Sequence, residues 1–452
     1  MNVIKIKKGL DINLKGKAKP EIVSLPLGLS YGVRPDEIKE IKPKLLKKKG
    51  ERVKAGTILL YDKNNENARI AAPVSGEITE IRRGERRKLL EVVIKPDEQI
   101  EYENFDIDDY KKLTPDEIAS ILINSGLWIS FIQRPYGIVA DPQKKPKAIH
   151  ISTFDTAPLA PDYQFIFKDE IETFALGLNI IKKLVGETPI YLNLNADIKD
   201  NIFERIEIQG VIKQYFKGKH PTGNVGIQIA NTTPIAKGDI IWTIKPQNII
   251  FIARLFRDKK LDLRKIIALA GSEVKEPKYY SIISGMRVQD IIDGKIKGDN
   301  VRFISGNPLT GFKVTEQEHI GFYHNLISVI PEGNKYELFG WLLPGFNKFS
   351  ISRSFFSWLQ PKREWVIDTN LHGGKRPFIF TDVLEKVLPM DILPAHFFKA
   401  LAIEDVELME KLGIYEVIEE DVALCEFVCV SKIDLQELVS KGISLMIKEF
   451  GR

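Results

Sequence analysis

The most unusual polar stretch of the chain is LHGGKRPF at 371–378, in which paired glycines precede two cations. Glycines leave backbone amides accessible, and neighbouring cations add positive charge, so the stretch favours a site for an anion or for a ligand carbonyl. The candidate contact residues are His372, Gly373, Gly374, Lys375 and Arg376. A tight turn before the apolar residues that follow explains the same pattern equally well.

The two cysteines, Cys425 and Cys429, are the only thiol ligands in the 452 residues. A C-x-x-x-C pair supplies half of a tetrahedral site, and no histidine lies near it in sequence. The stretch GNPLTGFK at 306–313 lacks the Ser or Thr that holds magnesium in a phosphate-binding loop. We therefore expect structural cysteines, with metal or redox use as the lesser alternative, and no nucleotide site of known pattern.

Positive charge is concentrated near the start of the chain. Residues 1–95 carry a net charge of +11 and the remainder a net charge of −6. The densest cluster consists of Arg82, Arg83, Arg86, Arg87 and Lys88. Such asymmetry favours an anionic partner, either nucleic acid, a membrane surface or an acidic protein, although solvated surface charge explains it as well. Basic and aromatic residues do not alternate here as in RNA-binding modules, which argues against nucleic acid.

The length predicts several domains, and the composition is that of an ordinary globular protein, with 44% hydrophobic and 28% charged residues. No stretch has the roughly 20 apolar residues of a membrane-spanning helix. The first residues lack the apolar centre of a signal peptide, and cysteine is scarce. We expect a cytoplasmic protein without a transmembrane helix.

Four domains are expected to position these residues. Residues 1–103 show short apolar runs between glycines and predict a β-sandwich of the biotinyl/lipoyl type, in which Lys63 follows Asp62 as in lipoyl carriers but at an unsuitable spacing from Pro73. Residues 104–258 alternate strands and helices, opened by a helix that Thr114 and Glu117 would cap, and predict a Rossmann-like α/β domain.

The second half of the chain predicts two further domains. Residues 259–340 have three apolar strands around one short helix, which is typical of a small β-grasp ligand-binding domain. Residues 341–452 predict a helical domain. Its best helical segments are 381–388, 403–412 and 434–450.

The order of these parts resembles the A subunit of the sodium-translocating NADH:quinone oxidoreductase of bacteria along essentially the whole chain. The matching stretches are distinctive in combination: IKIKKGLD at 4–11, APVSG at 72–76, RGER at 83–86, GLW at 126–128, RP at 134–135, STFDTAPLA at 152–160, NVGIQ at 224–228, HGGKRP at 372–377, LPMDILP at 388–394 and DVALCEFVC at 421–429.

The chain is also distantly similar to the flavin-binding subunit of respiratory complex I and to the C subunit of the Rnf complex. Those relatives follow a Gly-Leu phrase with closely spaced glycines that cradle flavin phosphate, whereas bulky residues follow Gly126 here. They also hold iron–sulfur clusters through repeated C-x-x-C motifs, of which Cys425 and Cys429 look like a remnant. The resemblance therefore implies no flavin and no cluster in this chain, and places both in other subunits.

The resemblance implies a peripheral subunit on the cytoplasmic side of the bacterial inner membrane. Its complex oxidises NADH, reduces ubiquinone and exports Na+, and the isolated chain is not expected to be catalytic. Expected partners are the B to F subunits of a six-subunit complex, foremost the B subunit in the membrane, with the basic cluster facing a partner or the membrane. Candidate quinone contacts are Trp128, Arg134 and Tyr136, or the loop at 372–376. The alternative is a flavin- and NADH-binding electron-input subunit of an Rnf or complex I-like enzyme.

Overall fold

The computed structural model describes residues 2–334, 338–340 and 342–451. The strands are β1 (Val3–Ile6), β2 (Ile22–Ser24), β3 (Tyr31–Val33), β4 (Pro43–Leu45), β5 (Arg52–Val53), β6 (Ile58–Asp62), β7 (Asn65–Ala71), β8 (Gly76–Arg83), β9 (Leu89–Pro96), β10 (Ile132–Arg134), β11 (Ile138–Val139), β12 (Ala148–Ser152), β13 (Ile190–Asn195), β14 (Val211–Gly218), β15 (Ile241–Thr243), β16 (Arg264–Ala270), β17 (Lys278–Ile283), β18 (Val301–Ser305), β19 (Phe312–Val314) and β20 (Leu326–Pro331). The helices are α1 (Pro115–Asn124), α2 (Tyr163–Ile166), α3 (Ile171–Val185), α4 (Val225–Ala230), α5 (Pro246–Asp258), α6 (Val288–Ile292), α7 (Pro394–Ala402), α8 (Val406–Lys411), α9 (Glu419–Val428) and α10 (Leu435–Phe450).

The N-terminal sandwich consists of the sheet β3-β9-β8-β5 and the sheet β4-β6-β7. Alternate residues of the longer strands, such as Ile78 and Val92, are buried and form its apolar core. Gly76 begins β8 with φ +151°, and a Cβ there would lie 1.9 Å from the carbonyl oxygen of Lys95. Only glycine fits this close approach of two strands, so the APVSG phrase marks a structural constraint.

The second domain is built on a seven-stranded sheet of order β1-β14-β13-β12-β15-β10-β11. The five strands from β1 to β15 are parallel, and β10 and β11 complete the sheet in antiparallel orientation. Thr114 caps α1 as expected, since its hydroxyl accepts from Glu117 N–H while the Glu117 carboxylate accepts from Thr114 N–H. The α/β prediction is confirmed, and β1 adds to it a strand from the first residues of the chain.

The third unit is a six-stranded sheet of order β19-β18-β20-β16-β17-β2, with α6 beside it. Its edge strand β2 also comes from the N-terminal segment and pairs in parallel with β17. The first 24 residues therefore contribute one strand to the second domain and one to the third before the chain enters the sandwich. These pairings tie the three units together through backbone hydrogen bonds.

The C-terminal region contains α7, α8, α9 and α10, which pack around a second apolar core. The expected helix at 381–388 is wrong, because this stretch forms turns, in which Val387 and Leu388 both donate to the Leu384 carbonyl before Pro389. The helix expected at 403–412 is shorter and begins after Asp405, whose carboxylate caps it. In the described residues, no helix combines the length and hydropathy that a membrane span requires.

Candidate functional site

Polar side chains collect where the parallel strands of the second domain end. Asp155 follows β12 and Lys245 follows β15, whereas Arg134, the last residue of the antiparallel β10, pairs with Ile241 at the start of β15. In open α/β sheets the crevice beyond the carboxyl ends of the strands is the usual ligand site. The N-terminal turn of α9 supplies Glu420 and Asp421 to Arg134, and the Glu420 carbonyl accepts from Asn224 Nδ2 in the segment after β14.

Arg134 is clamped between these two carboxylates. Its Nη1 lies 2.5 Å from Asp421 Oδ2, and its Nη2 lies 2.9 Å from Glu420 Oε1. The Arg134 side chain is 1% exposed and that of Asp421 is fully buried, whereas Glu420 reaches solvent. The backbone N–H of Ile418 also donates to Asp421 Oδ2. The pair joins the α/β sheet to the C-terminal helices, so Arg134 is a structural latch in this conformation.

The Arg134–Asp421 pair is crowded by the backbone of α4, and two of its polar atoms lack hydrogen-bond partners in the described part of the chain. A Cβ on Gly226, in α4, would lie 2.3 Å from Asp421 Oδ1 and 2.6 Å from Arg134 Nη1. Arg134 Nε and Asp421 Oδ1 have no hydrogen-bond partner among the described residues. Burial raises the pKa of Asp421 to about 6, and the Arg134 guanidinium opposes that shift. This buried, charge-balanced pair is consequently sensitive to loss of either partner.

Trp128 and Tyr136 are held in different surroundings. Trp128 is 1% exposed, donates from Nε1 to the Ala140 carbonyl at 2.8 Å, and packs against Phe131 and Trp242. Tyr136 has φ +82° and lies against Tyr415, with ring centroids 6.2 Å apart, just before α9. The structure thus brings Arg134 and Tyr136 to the C-terminal helices, whereas Trp128 belongs to an aromatic core.

The loop at 371–377 is exposed over its whole length and is separate from the Arg134 clamp in sequence and packing. His372 Nε2 lies 3.0 Å from Asp368 Oδ1, and Lys375 Nζ lies 2.6 Å from Asp434 Oδ2. Arg376 N–H donates to the Ser431 carbonyl. A Cβ on Gly374 would meet nothing within 4 Å, so this part of the glycine pair faces open space. The loop is accessible to a ligand and rests on the start of α10.

The basic cluster divides into a structural and a solvated part. Arg82 Nη1 lies 2.7 Å from Glu91 Oε2 and also donates to the Gln317 carbonyl of the third unit. Glu91 is buried and its other oxygen lies 2.8 Å from His319 Nδ1. Arg82 therefore fastens the sandwich to the third unit. The remaining members lie at the surface: Arg83, Arg86, Arg87 and Lys88.

Cys425 and Cys429 lie at the end of α9, both buried in the apolar core of the C-terminal region. Burial raises the pKa of the Cys425 thiol well above its ordinary value. In the part of the chain that the structure describes, no group of three or more metal-ligating side chains comes together. The two thiols are thus placed as apolar core residues.

Glu420 and Asp421 were not expected as partners of Arg134 from sequence. The available signal was the run Glu419-Glu420-Asp421, because acidic residues are favoured in the first turn of a helix. That run predicts where α9 begins, but it does not indicate which cation lies opposite. The pairing spans 287 residues and depends on the tertiary fold.

Three family models match consecutive parts of the chain. They are described as the NqrA N-terminal barrel-sandwich hybrid domain over residues 4–97, the NqrA second alpha/beta domain over residues 113–261, and the NQRA C-terminal domain over residues 266–316. Together they cover the sandwich, the α/β sheet and much of the third sheet.

Curated relatives match over nearly the full length of both proteins. The A subunit of the Na(+)-translocating NADH-quinone reductase of Neisseria meningitidis serogroup A is 35% identical over 453 residues, covering 99% of this chain and 100% of that one. The protein of the same name from Photorhabdus laumondii is 34% identical and covers 97% and 99%. A solved NAD+-reducing NiFe hydrogenase aligns with 13% identity over 50% of this chain and 48% of that one. The TM-score of this alignment is 0.36, which is too low to support a conclusion about fold or function. The chain belongs to the family of the A subunit of the Na+-translocating NADH-quinone reductase.

Proposed function

We propose that this chain is a peripheral subunit of a Na+-translocating NADH:quinone oxidoreductase, docked on the cytoplasmic face of the membrane. The observation that carries the proposal is 35% identity to a protein named as the A subunit of that enzyme, over 99% of the chain. The complex acts as a translocase, coupling NADH oxidation and ubiquinone reduction to Na+ export. The B to F subunits are the proposed partners, with the B subunit in the membrane foremost.

Within that complex, we infer that the chain serves assembly and the quinone end and does not accept hydride itself. In this proposal a flavin accepts the hydride from NADH, and flavin phosphate needs a loop whose backbone it can approach closely. The position after Gly126 is instead filled by Trp128 in contact with Phe131 and Trp242. The flavins and iron–sulfur centres of the reaction therefore belong to other subunits in this proposal.

Of the two candidate quinone contacts, the accessibility of the loop at 372–376 supports it better. The Arg134 guanidinium is engaged by two carboxylates, and Trp128 and Tyr136 are buried, so a headgroup would have to displace packed side chains to reach them. The Gly373–Gly374 backbone is open, and Lys375 and Arg376 are exposed beside it. A quinone carbonyl would accept from these donors.

We also propose the finer fold assignments, namely a Rossmann-like domain over 104–258, a β-grasp domain over 259–340 and a helical domain over 341–452. The parallel order β14-β13-β12-β15 with α3 and α5 supports the first, and the mixed sheet around β16 with α6 supports the second. The first domain, over 1–103, is proposed to be of the biotinyl/lipoyl type. Its strands β1 and β2 pair with β14 and β17 of the other two sheets.

The proposal is tested by affinity purification of the complex through a tag on another subunit. We expect this chain to be recovered in stoichiometric amount, and the chain purified alone to show no flavin absorbance. Absence of the chain from the purified complex would contradict the subunit role. A bound flavin in the isolated chain would instead favour the electron-input alternative.

A further inference from the structure

Exposed apolar side chains are concentrated in one short part of the C-terminal region. We call the described residues 338–340 and 342–363 the aromatic loop. Of the twenty-five large hydrophobic residues exposed in the described chain, nine lie in this loop. They are Leu338, Phe339, Leu342, Leu343, Phe346, Ile351, Phe356, Trp358 and Leu359.

The nine side chains expose a large apolar area within one short stretch of the chain. Leu338 is 87% exposed and Leu342 is 64% exposed, and most of the others are about half exposed. At roughly 100 Å² of accessible area each, the nine side chains present about 900 Å². A standard interface buries about 800 Å² on each partner, so the loop exposes enough apolar area to form one.

The loop is held to the body of the protein near its middle and just beyond its end. Phe349 packs between Trp365 and Phe427 of α9, with ring centroids 5.7 Å from each. Trp365 is buried, and its backbone pairs with Asn13 and Lys15 of the N-terminal segment. The exposed side chains are therefore presented from a fixed base, as a preformed docking surface would be.

The charge of the loop indicates what covers it. Residues 338–363 contain four cations, Lys348, Arg353, Lys362 and Arg363, and no acidic residue. Two copies of the loop would place like charges together, which disfavours self-association. A partner with carboxylates around an apolar centre would complement both features.

A protein partner fits better than a lipid bilayer. Two of the cations are engaged inside the loop, since Arg363 donates to the Phe346 carbonyl and Lys348 donates to the Gly340 carbonyl. The backbone is also irregular apart from one 3-10 turn at Phe356–Leu359, and irregular backbone facing hydrocarbon leaves polar groups unsatisfied. A protein surface can satisfy them.

We propose that the aromatic loop is the docking surface for an apolar, carboxylate-rimmed face of another subunit of the same complex. This inference rests on the proposed function, because the partner is a subunit of that complex. Docking would bury the exposed leucine and aromatic side chains at the centre of the interface and leave Arg353 and Lys362 at its rim.

The test replaces Leu342 and Leu359 with glutamate and measures how much of the chain co-purifies with a tagged partner subunit from cells expressing the full complex. Both positions are exposed in the free chain, so its thermal unfolding should be unchanged. We expect at least a tenfold loss of recovery. The matched control is Leu29→Glu with Ile403→Glu, two aliphatic positions that are each 69% exposed outside the loop, and its recovery should be normal.

Each other outcome is decisive. Normal recovery of the loop variant would show that the loop is not the docking surface, and so would an equal loss of recovery in the control variant. Either result leaves the subunit role intact. Failure of the unmodified chain to co-purify would contradict the subunit role itself. Self-association of the free chain that the loop variant abolishes would identify a second copy as the occupant. Loop-dependent binding to vesicles of phosphatidylcholine and phosphatidylglycerol, with normal recovery in the complex, would identify the bilayer.

Discussion

Replacing Arg134 with methionine tests whether the second domain and the C-terminal helices are joined by a buried ion pair. Methionine keeps the apolar volume of the side chain but leaves the Asp421 carboxylate, fully buried, without its cation. Removing one partner of such a pair costs about 3–5 kcal/mol. Glu420 is 35% exposed and can turn to water, so nearly all of that loss should come from Asp421.

The loss should depend on pH in a defined direction. Burial already raises the pKa of Asp421 to about 6, and removing Arg134 takes away the charge that opposes this shift. The folded variant therefore holds a proton that the unfolded chain releases, and its stability falls as pH rises toward the new pKa. Each pH unit in that window is worth about 1.4 kcal/mol, so the variant should lose up to about 2.7 kcal/mol between pH 6 and pH 8 relative to the unmodified chain.

Amide hydrogen exchange of α9 is the appropriate assay, because a chain of several domains need not unfold in one step. The free energy of opening of α9 is compared between the variant and the unmodified chain at pH 6 and pH 8. The double variant Arg134→Met with Asp421→Leu should recover all but about 1 kcal/mol. The control Arg257→Met breaks a surface pair and should cost under about 0.5 kcal/mol. A small, pH-independent loss, or no recovery in the double variant, would refute the latch.

Buried groups lead to three further predictions. Burial lowers the pKa of His150 to about 3 and that of His220 to about 4. Below pH 6.5 the unfolded chain binds protons that these folded histidines do not, so each should lower the free energy of unfolding by about 1.4 kcal/mol per pH unit. Equal urea midpoints at pH 7 and pH 5 would contradict this. Gly226→Ala should cost about 1–3 kcal/mol by crowding Asp421, whereas Gly298→Ala, where a Cβ meets open space, should not, as thermal unfolding of both would show. Arg82→Met should lower the melting temperature at a cost of about 1–3 kcal/mol, because the buried Glu91 carboxylate keeps His319 as a partner but loses the cation at Oε2. An unchanged melting temperature would mean that Arg82 is a solvated surface residue.

Local sequence signals predicted the local elements well. Thr114 and Glu117 marked the start of α1, and apolar residues at helical spacing marked α3 and α10. The segment at 381–388 had a similar apolar pattern but forms turns, and Pro389, which follows directly, disfavours helical backbone at Leu388. Pattern alone did not separate these two cases.

Long-range pairings were beyond the sequence. Residues 1–103 were all assigned to the sandwich. The strands β1 and β2 are only four and three residues long, and nothing in them indicates that they pair with β14 and β17 instead. The partner of Arg134 was missed for the same reason. Arg82 was assigned to a partner-facing cluster by its composition, while its contact with the buried Glu91 follows only from the fold.

Deleting this chain from the assembled complex tests the central claim most directly. The measurement is the ratio of two NADH-driven activities in membranes that lack the chain, namely reduction of ubiquinone and reduction of an artificial electron acceptor. A chain that serves the quinone end predicts that reduction of the artificial acceptor survives while ubiquinone reduction falls. Survival of both activities at unchanged rates, or loss of the artificial-acceptor activity alone, would contradict it.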